Sequence, residues 1–253
     1  MPEDMPCIAI VPARYASSRF PGKPLTPLLG KPMFWHVVTR TQACPEIDQT
    51  YLATDDERIV QAARTWNIPV ITTSPEHTSG TDRILEAAQS LNLCDDTVVV
   101  NVQGDEPCIS VQVLVQLVQP LRQGQVQVST VARPVPSAQA EDPNLVKVVR
   151  ATSGQALYFS RSPIPYAREG GQTPFLGHIG LYAFRLSTLR FFHQLGPSPL
   201  ESIEKLEQLR FLEAGVPIHV VLTSYRCYGV DRPEDVAKVE AILREEHKQC
   251  AHS

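Results

Sequence analysis

The chain has 253 residues, 43% of them hydrophobic and 20% charged, with 23 basic against 27 acidic side chains and a net charge of −4. A chain of this length buries a substantial core, as one large α/β domain or one domain with a small lobe. The acid excess argues against a nucleic-acid partner, whose surface calls for a basic excess. No apolar run approaches the roughly 18–20 residues of a membrane span. The opening MPEDMPC carries acids where a signal peptide needs positive charge, so the expectation is a cytoplasmic protein with no membrane partner. Six cysteines stand at 7, 44, 94, 108, 227 and 250, with no CxxC and no His/Cys cluster at zinc-ligand spacing. Cys7 and Cys108 flank apolar stretches and read as reduced packing residues.

Ile8-Ala9-Ile10-Val11 is a short apolar run that suits a strand buried on both faces, and Pro12 ends it for want of an N–H. The loop that follows carries Arg14, Arg19 and Lys23 among small and hydroxylated residues, Ser17 and Gly22 included. Open α/β sheets bind ligands at the carboxyl ends of their strands, and three cations there suit a polyphosphate. A solvated basic loop is the competing reading. The loop is not a P-loop, and the absence of GxGxxG excludes a dinucleotide oxidoreductase.

Further along, Pro32 suits the first turn of a helix from Met33 to about Ala43. A strand over Thr50–Ala53 leads through Asp55-Asp56-Glu57 into a helix reaching Trp66, and a strand over Ile68–Thr72 leads into a helix from about Asp82 to Asn92. Thr97–Val102 holds four valines and is the strongest strand signal. Alternation of strands and helices to about Arg122 predicts a mostly parallel, doubly wound α/β sheet. Val126–Val131, Val146–Arg150, Ala156–Ser160 and Gly177–Phe184 then follow as strands divided by prolines, which predicts a smaller antiparallel lobe within about 126–184 and a surface for dimerisation. A helix over Ser198–Ala214, with apolar residues at three-residue steps, a strand over Ile218–Leu222 and an amphipathic helix over Pro233–His247 complete a single domain spanning 1–253.

Chemistry concentrates in a few strings. Asn101-Val102-Gln103-Gly104-Asp105-Glu106-Pro107 puts an amide and two carboxylates after the most apolar strand, which suits Mg²⁺ or an ordinary turn. Asp231, before the last helix, reads by itself as a helix cap or flanking acid. HTSGTDR at 77–83 offers hydroxyl and backbone donors at a helix start, for a nucleoside or simply for capping. Arg161 follows a strand and could pair with a carboxylate, His178 and Tyr182 share one face of a strand, and Glu207 and Gln208 project from the helix over 198–214.

PARYASSRFPGKP, ATDD, SGTDR, NVQGDEP, YFSR, HIGLY, LEQLR and GVDRPED occur in that order from Ile8 to Ala241. Together they resemble the sugar-activating cytidylyltransferases, and most closely the 3-deoxy-manno-octulosonate cytidylyltransferase family. The resemblance implies a Rossmann-like nucleotidyltransferase sheet with a small antiparallel sugar-binding and dimerisation lobe, usually in a homodimer. It implies transfer of CMP from CTP to an acidic eight-carbon sugar for lipopolysaccharide synthesis. By the same resemblance Arg19, Lys23 and Asp105 are catalytic, and Asp105 and Asp231 hold Mg²⁺. Arg14, Ser17, Ala53, Thr54, Asp55, Ser79, Gly80, Arg83 and Gln103 would bind the nucleotide, and Arg161, His178, Tyr182, Glu207 and Gln208 the sugar. Two departures stand out: Arg232 replaces a threonine that could cap the last helix, worth about 1 kcal/mol, and the segment 162–177 is short. Sialic acid and an 8-amino octulosonate are alternative acceptors, and a nucleotide-sugar scaffold that has lost turnover is the alternative to an enzyme.

Overall fold

The run Cys7–Pro12 forms the first strand, β1, in a computed structural model that describes residues 5–16, 20–77, 79–168, 175–226 and 228–250, with the side chains of 247, 249 and 250 outside the description. After it come a 3₁₀ turn over Lys23–Leu25, the two-residue strands β2 (Pro27–Leu28) and β3 (Lys31–Pro32), and helix α1 (Met33–Gln42). Then follow β4 (Gln49–Thr54), α2 (Glu57–Thr65), β5 (Val70–Thr72), α3 (Gly80–Ser90), β6 (Val98–Asn101) and α4 (Val111–Arg122). The rest of the chain forms β7 (Val128–Val135), α5 (Ser137–Ala140), β8 (Lys147–Arg150), β9 (Ala156–Ser160), β10 (Phe175–Arg185), α6 (Leu186–Leu195), α7 (Pro199–Glu204), α8 (Leu209–Glu213), β11 (His219–Leu222) and α9 (Asp235–Cys250). No helix among the described residues is long and apolar enough to cross a membrane.

The chain divides into two compact units, one of residues 6–93, 99–114 and 227–253, the other of 1–5, 94–98 and 115–226. In the first, the strand order is β6-β1-β4-β5, with β1, β4 and β5 parallel. Ile8, Ala9, Ile10 and Val11 are at most 3% exposed, as a strand covered on both faces must be. Pro12 is the last residue of β1, and the next N–H, that of Ala13, bonds Ala53 O at 2.8 Å. The helices between these strands have identifiable caps. Asp56 accepts the Arg58 N–H at 3.0 Å to start α2, and Ser79 accepts the Asp82 N–H at 3.0 Å to start α3. Pro32 stands at the N-cap of α1, which buries Met33, Phe34, Val37 and Val38. A separate apolar cluster of Leu28, Met33, Cys108, Val230, Val239 and Leu243 ties the β2–β3 hairpin to α9. Cys7 and Cys108 are buried, as their neighbours predicted, and burial pushes the Cys108 thiol up to about 12.

The second unit carries the strands β11-β7-β10, with β8 joined to β10 and β9 joined to β8. β10 pairs antiparallel with β7 and with β8, β8 pairs antiparallel with β9, and β11 runs parallel to β7. The α/β class, with parallel strands first and an antiparallel set after, is the one that the pattern predicted. The lobe expected over 126–184 falls in this unit, which runs on to Arg226. β10 holds a bulge: Ile179 faces Val131 and Tyr182 faces Thr130, so two residues are inserted and side-chain parity is kept.

Three details depart from the sequence reading. Leu186–Leu195 is a helix where none was expected. The single helix expected over Ser198–Ala214 is two, because Lys205 adopts the left-handed conformation (φ 55°) and residues 205–208 form a turn. The last helix starts at Asp235, two residues later than the expected Pro233.

Candidate active site

β1 delivers the chain to a turn that only glycine can make. A Cβ at Gly104 would stand 2.6 Å from Pro12 O, inside any permitted contact, so the GDEP turn lies flush against the end of β1. Val102 N–H bonds Ile10 O at 3.2 Å and Glu106 N–H bonds Gln103 O at 3.2 Å, which fixes the turn from both sides. Asp105 O then accepts the Val230 N–H at 2.9 Å, bringing Asp231 one residue away from a direct bond to the Asp105 backbone. Residues separated by more than a hundred positions are thus brought together by backbone pairing.

Lys23 enters this cluster from the 3₁₀ turn. Its Nζ lies 2.6 Å from Asp105 Oδ2 and 3.0 Å from Val230 O. Gly22 before it takes φ 73°, and the Gly22 N–H bonds Tyr15 O at 2.9 Å, closing the loop that begins at Ala13. Tyr15 is held in turn by Arg58, whose guanidinium carbon lies 3.2 Å from the ring centroid. Asp56 grips the same guanidinium at 2.9 Å and 2.6 Å, which holds the Asp56 carboxyl below the usual range. Sequence reasoning missed Tyr15 and Arg58; a tyrosine inside the basic loop was the available signal. Arg14 is half-buried at the start of that loop, whereas Ser17 and Arg19 lie outside the described residues.

Ala53, Thr54 and Asp55 stand at the carboxyl end of β4, and Thr54, fully buried, accepts the Asp56 N–H at 3.2 Å. Ser79 and Gly80 open α3, with the Gly80 position 3.8 Å from the Pro12 ring. Arg83, expected at the nucleotide, lies inside the protein. It is 0% exposed, donates to Thr73 Oγ1 at 2.5 Å and pairs with Asp55 Oδ1 at 3.2 Å. Its guanidinium therefore sets the Asp55 carboxylate and the end of β5 and offers no surface of its own.

The carboxylates fit a hard divalent cation. Mg²⁺ takes one or two protein carboxylates and completes its shell with water and phosphate oxygens. Asp105 has a side chain 33% exposed, Asp231 is exposed, and the Asp231 backbone is pinned by its N–H to Asp235 Oδ2 at 2.9 Å. Asp235 also accepts the Arg232 N–H at 2.9 Å, the main cause holding its carboxyl below the usual range.

The second unit gathers the residues assigned to the sugar. His178 meets Phe159 edge to face at 5.1 Å and lies 5.4 Å from Tyr182, which stacks on Phe184 at 5.5 Å. The bulge keeps His178 and Tyr182 on one face, as alternation predicted. Thr130 gives its hydroxyl proton to Leu181 O at 2.7 Å, so at 2.9 Å it accepts from His178 Nε2. Burial lowers the His178 pKa to about 3, so this imidazole is neutral and carries its proton on Nε2. The Tyr182 hydroxyl is buried beside Thr130, and burial, then the charge of Glu207, raise its pKa well above the usual value.

Glu207 and Gln208 sit on the turn between α7 and α8, not on a helix face. Arg161 makes that turn. Its Nε donates to Glu204 O at 2.8 Å, Nη1 to Pro143 O at 2.9 Å and Nη2 to Lys205 O at 3.3 Å. The Glu204 carboxylate answers by accepting from Ser160 Oγ at 2.6 Å and the Arg161 N–H at 2.9 Å. Three of the five guanidinium N–H groups are thus engaged by backbone, and these bonds leave two. Of the short segment 162–177, residues 169–174 lie outside the described residues.

Comparison with known proteins places both units in one family. The cytidylyltransferase family model matches residues 8–218. A 3-deoxy-manno-octulosonate cytidylyltransferase of Nitratidesulfovibrio vulgaris is 55% identical over 243 residues, covering 94% of this chain and 96% of its own. The enzyme of that name from Myxococcus xanthus is 45% identical over 239 residues, covering 94% and 96%. A solved CMP:2-keto-3-deoxy-manno-octonic acid synthetase complexed with CTP superposes with a TM-score of 0.91 at 40% identity, covering 95% of this chain and 99% of that one. A cytidylyltransferase of Leptospira borgpetersenii, 16% identical with a TM-score of 0.65 over 96% of this chain and 88% of that one, shares the fold. The chain belongs to the 3-deoxy-manno-octulosonate cytidylyltransferase family.

Proposed function

We propose that the protein transfers CMP from CTP to the anomeric hydroxyl of 3-deoxy-D-manno-octulosonate (Kdo), giving CMP-Kdo for lipopolysaccharide synthesis and releasing pyrophosphate. The observation that carries this reading is the backbone-built group of Lys23, Asp105 and Val230 beside Asp231 at the end of β1. A cation, two carboxylates and a strand end supply what a nucleoside triphosphate needs. The sugar oxygen attacks the α-phosphorus, the bond from that phosphorus to the β-phosphate oxygen breaks, and the hydroxyl proton is lost. Negative charge grows on the leaving pyrophosphate, where Lys23 and Arg14, with Arg19 and Ser17 of the same loop, would offset it. Ala53, Thr54, Asp55, Ser79, Gly80 and Gln103 would hold the cytidine, with Arg83 acting through Asp55.

Asp105 and Asp231 would hold Mg²⁺, whose contribution when bound is to polarise the α-phosphate and orient its oxygens. In the second unit the two remaining Arg161 donors suit the sugar carboxylate, and Glu207, Gln208 and the Tyr182 hydroxyl suit its hydroxyl groups. His178 orients and does not take the proton, because burial holds its pKa at about 3 and makes the ring a poor base. The protein would act in the cytoplasm as a homodimer, the usual state of the family. Pyrophosphate release from CTP and Mg²⁺ with Kdo, 8-amino-Kdo, sialic acid and no sugar tests the reaction and the acceptor together. Kdo-dependent release is expected. Release only with another sugar would change the acceptor, and silence with all four while CTP still binds would point to a scaffold.

A further inference from the structure

Lys23 occupies one of the carboxylate oxygens that a divalent cation would use, Asp105 Oδ2. Its ammonium is 2.6 Å from Asp105 Oδ2 and 3.0 Å from Val230 O, the carbonyl of the residue before Asp231. A second cation at Oδ2 would meet both a covered lone pair and a like charge at short range. The pair is shielded, with side chains 16% and 33% exposed, so water and salt screen that repulsion only in part. The backbone under Lys23 is fixed: Leu25 N–H bonds Gly22 O at 2.9 Å, Thr26 N–H bonds Lys23 O at 3.0 Å, and Pro24 is buried. Movement is left to the four-carbon stem. An ammonium has three N–H donors and two are engaged here, so the third can meet a phosphate oxygen before the other two let go.

We infer that Lys23 keeps the Asp105 seat closed to a divalent cation until nucleotide phosphates draw its ammonium away, so that metal enters with CTP and not ahead of it. The inference rests on the reading of Asp105 and Asp231 as the metal carboxylates. It gives Lys23 a positioning role besides charge neutralisation, and it spares the enzyme a resident metal that CTP would have to accommodate.

The test is Mn²⁺ binding followed by electron paramagnetic resonance on the full-length protein without nucleotide and with a non-hydrolysable α,β-methylene CTP. The variants are Lys23→Met, Lys23→Arg, Asp105→Asn and Lys23→Met/Asp105→Asn, each checked by thermal melting. Without nucleotide, Lys23→Met should bind Mn²⁺ about tenfold more tightly than wild type. Lys23→Arg, which keeps the cation, should stay as weak as wild type, and the double variant should lose the gain. The analogue should bring wild type close to Lys23→Met. Equal nucleotide-free affinity in wild type and a folded Lys23→Met, with both still dependent on Asp105, would overturn the gate and leave the metal reading intact. Binding indifferent to Asp105→Asn, with or without the analogue, would remove the metal assignment and the gate with it.

Discussion

Replacing Gly104 by alanine tests whether the close fit between β1 and the GDEP turn sets the site. The new Cβ would stand 2.6 Å from Pro12 O, and a real Cβ keeps at least about 3.0 Å from such an atom. Pro12 cannot yield easily, since β1 is covered on both faces and bonded to Val102 and, through the Ala13 N–H, to Ala53. The turn must give way by several tenths of an ångström and carry Asp105 with it. Overpacking of this kind costs about 1–3 kcal/mol, which for a chain of this size lowers the melting temperature by roughly 2–10 °C. The effect on turnover should be larger than the effect on stability. Small misplacement of a catalytic group can cost about a hundredfold in rate, so pyrophosphate release should fall by ten- to a hundredfold, on the order of that limit. Gly229→Ala is the control, because its Cβ would meet Asp105 O at an ordinary 3.5 Å. A Gly104→Ala protein that melts and turns over like Gly229→Ala would refute the argument.

Other consequences follow from single contacts. Asp105→Asn should leave the melting temperature within a few degrees of wild type and lower kcat by about a hundredfold or more; turnover near wild type would remove Asp105 from the chemistry. Arg83→Met strands the Asp55 carboxylate and should cost about 3 kcal/mol in urea unfolding while raising KM for CTP more than it lowers kcat. An unchanged KM would show that Asp55 does not touch the nucleotide. The folded protein holds His178 neutral down to about pH 3, whereas the unfolded chain takes up that proton below about pH 6.5. Unfolding is therefore favoured as pH falls through that window, by up to about 1.4 kcal/mol per pH unit, and His178→Asn should flatten the slope. A slope identical to wild type would show that the ring is not buried neutral.

How far the sequence foretold these features depended on the range of the forces involved. β1, the valine strand β6 and the capped helices α2 and α3 follow from local signals, an apolar run or a capping side chain a few residues from the element that it starts. The break between α7 and α8 does not. Ile203 keeps helical spacing but is 77% exposed, and the turn is made by Arg161, which binds the carbonyls of Glu204 and Lys205 from 43 and 44 residues away. Arg83 was placed correctly at the start of α3, yet its burial depends on Thr73 and Asp55, partners that spacing cannot reveal. α6 follows β10 at once, with no proline or glycine between them to mark a new element. The Lys23, Asp105 and Asp231 group was legible as separate motifs. What the fold adds is the backbone bond from Val230 to Asp105 that unites them.

The most direct test of the proposed reaction follows one atom. Kdo carrying oxygen-18 at its anomeric hydroxyl would be incubated with CTP, Mg²⁺ and the protein, and the product examined by phosphorus NMR. Attack of that hydroxyl on the α-phosphorus predicts that the heavy oxygen bridges sugar and phosphorus in CMP-Kdo, with the isotope shift on the phosphodiester signal. A product whose bridging oxygen is unlabelled, with the label released to water, would mean that the sugar carbon is attacked instead, and would contradict the account.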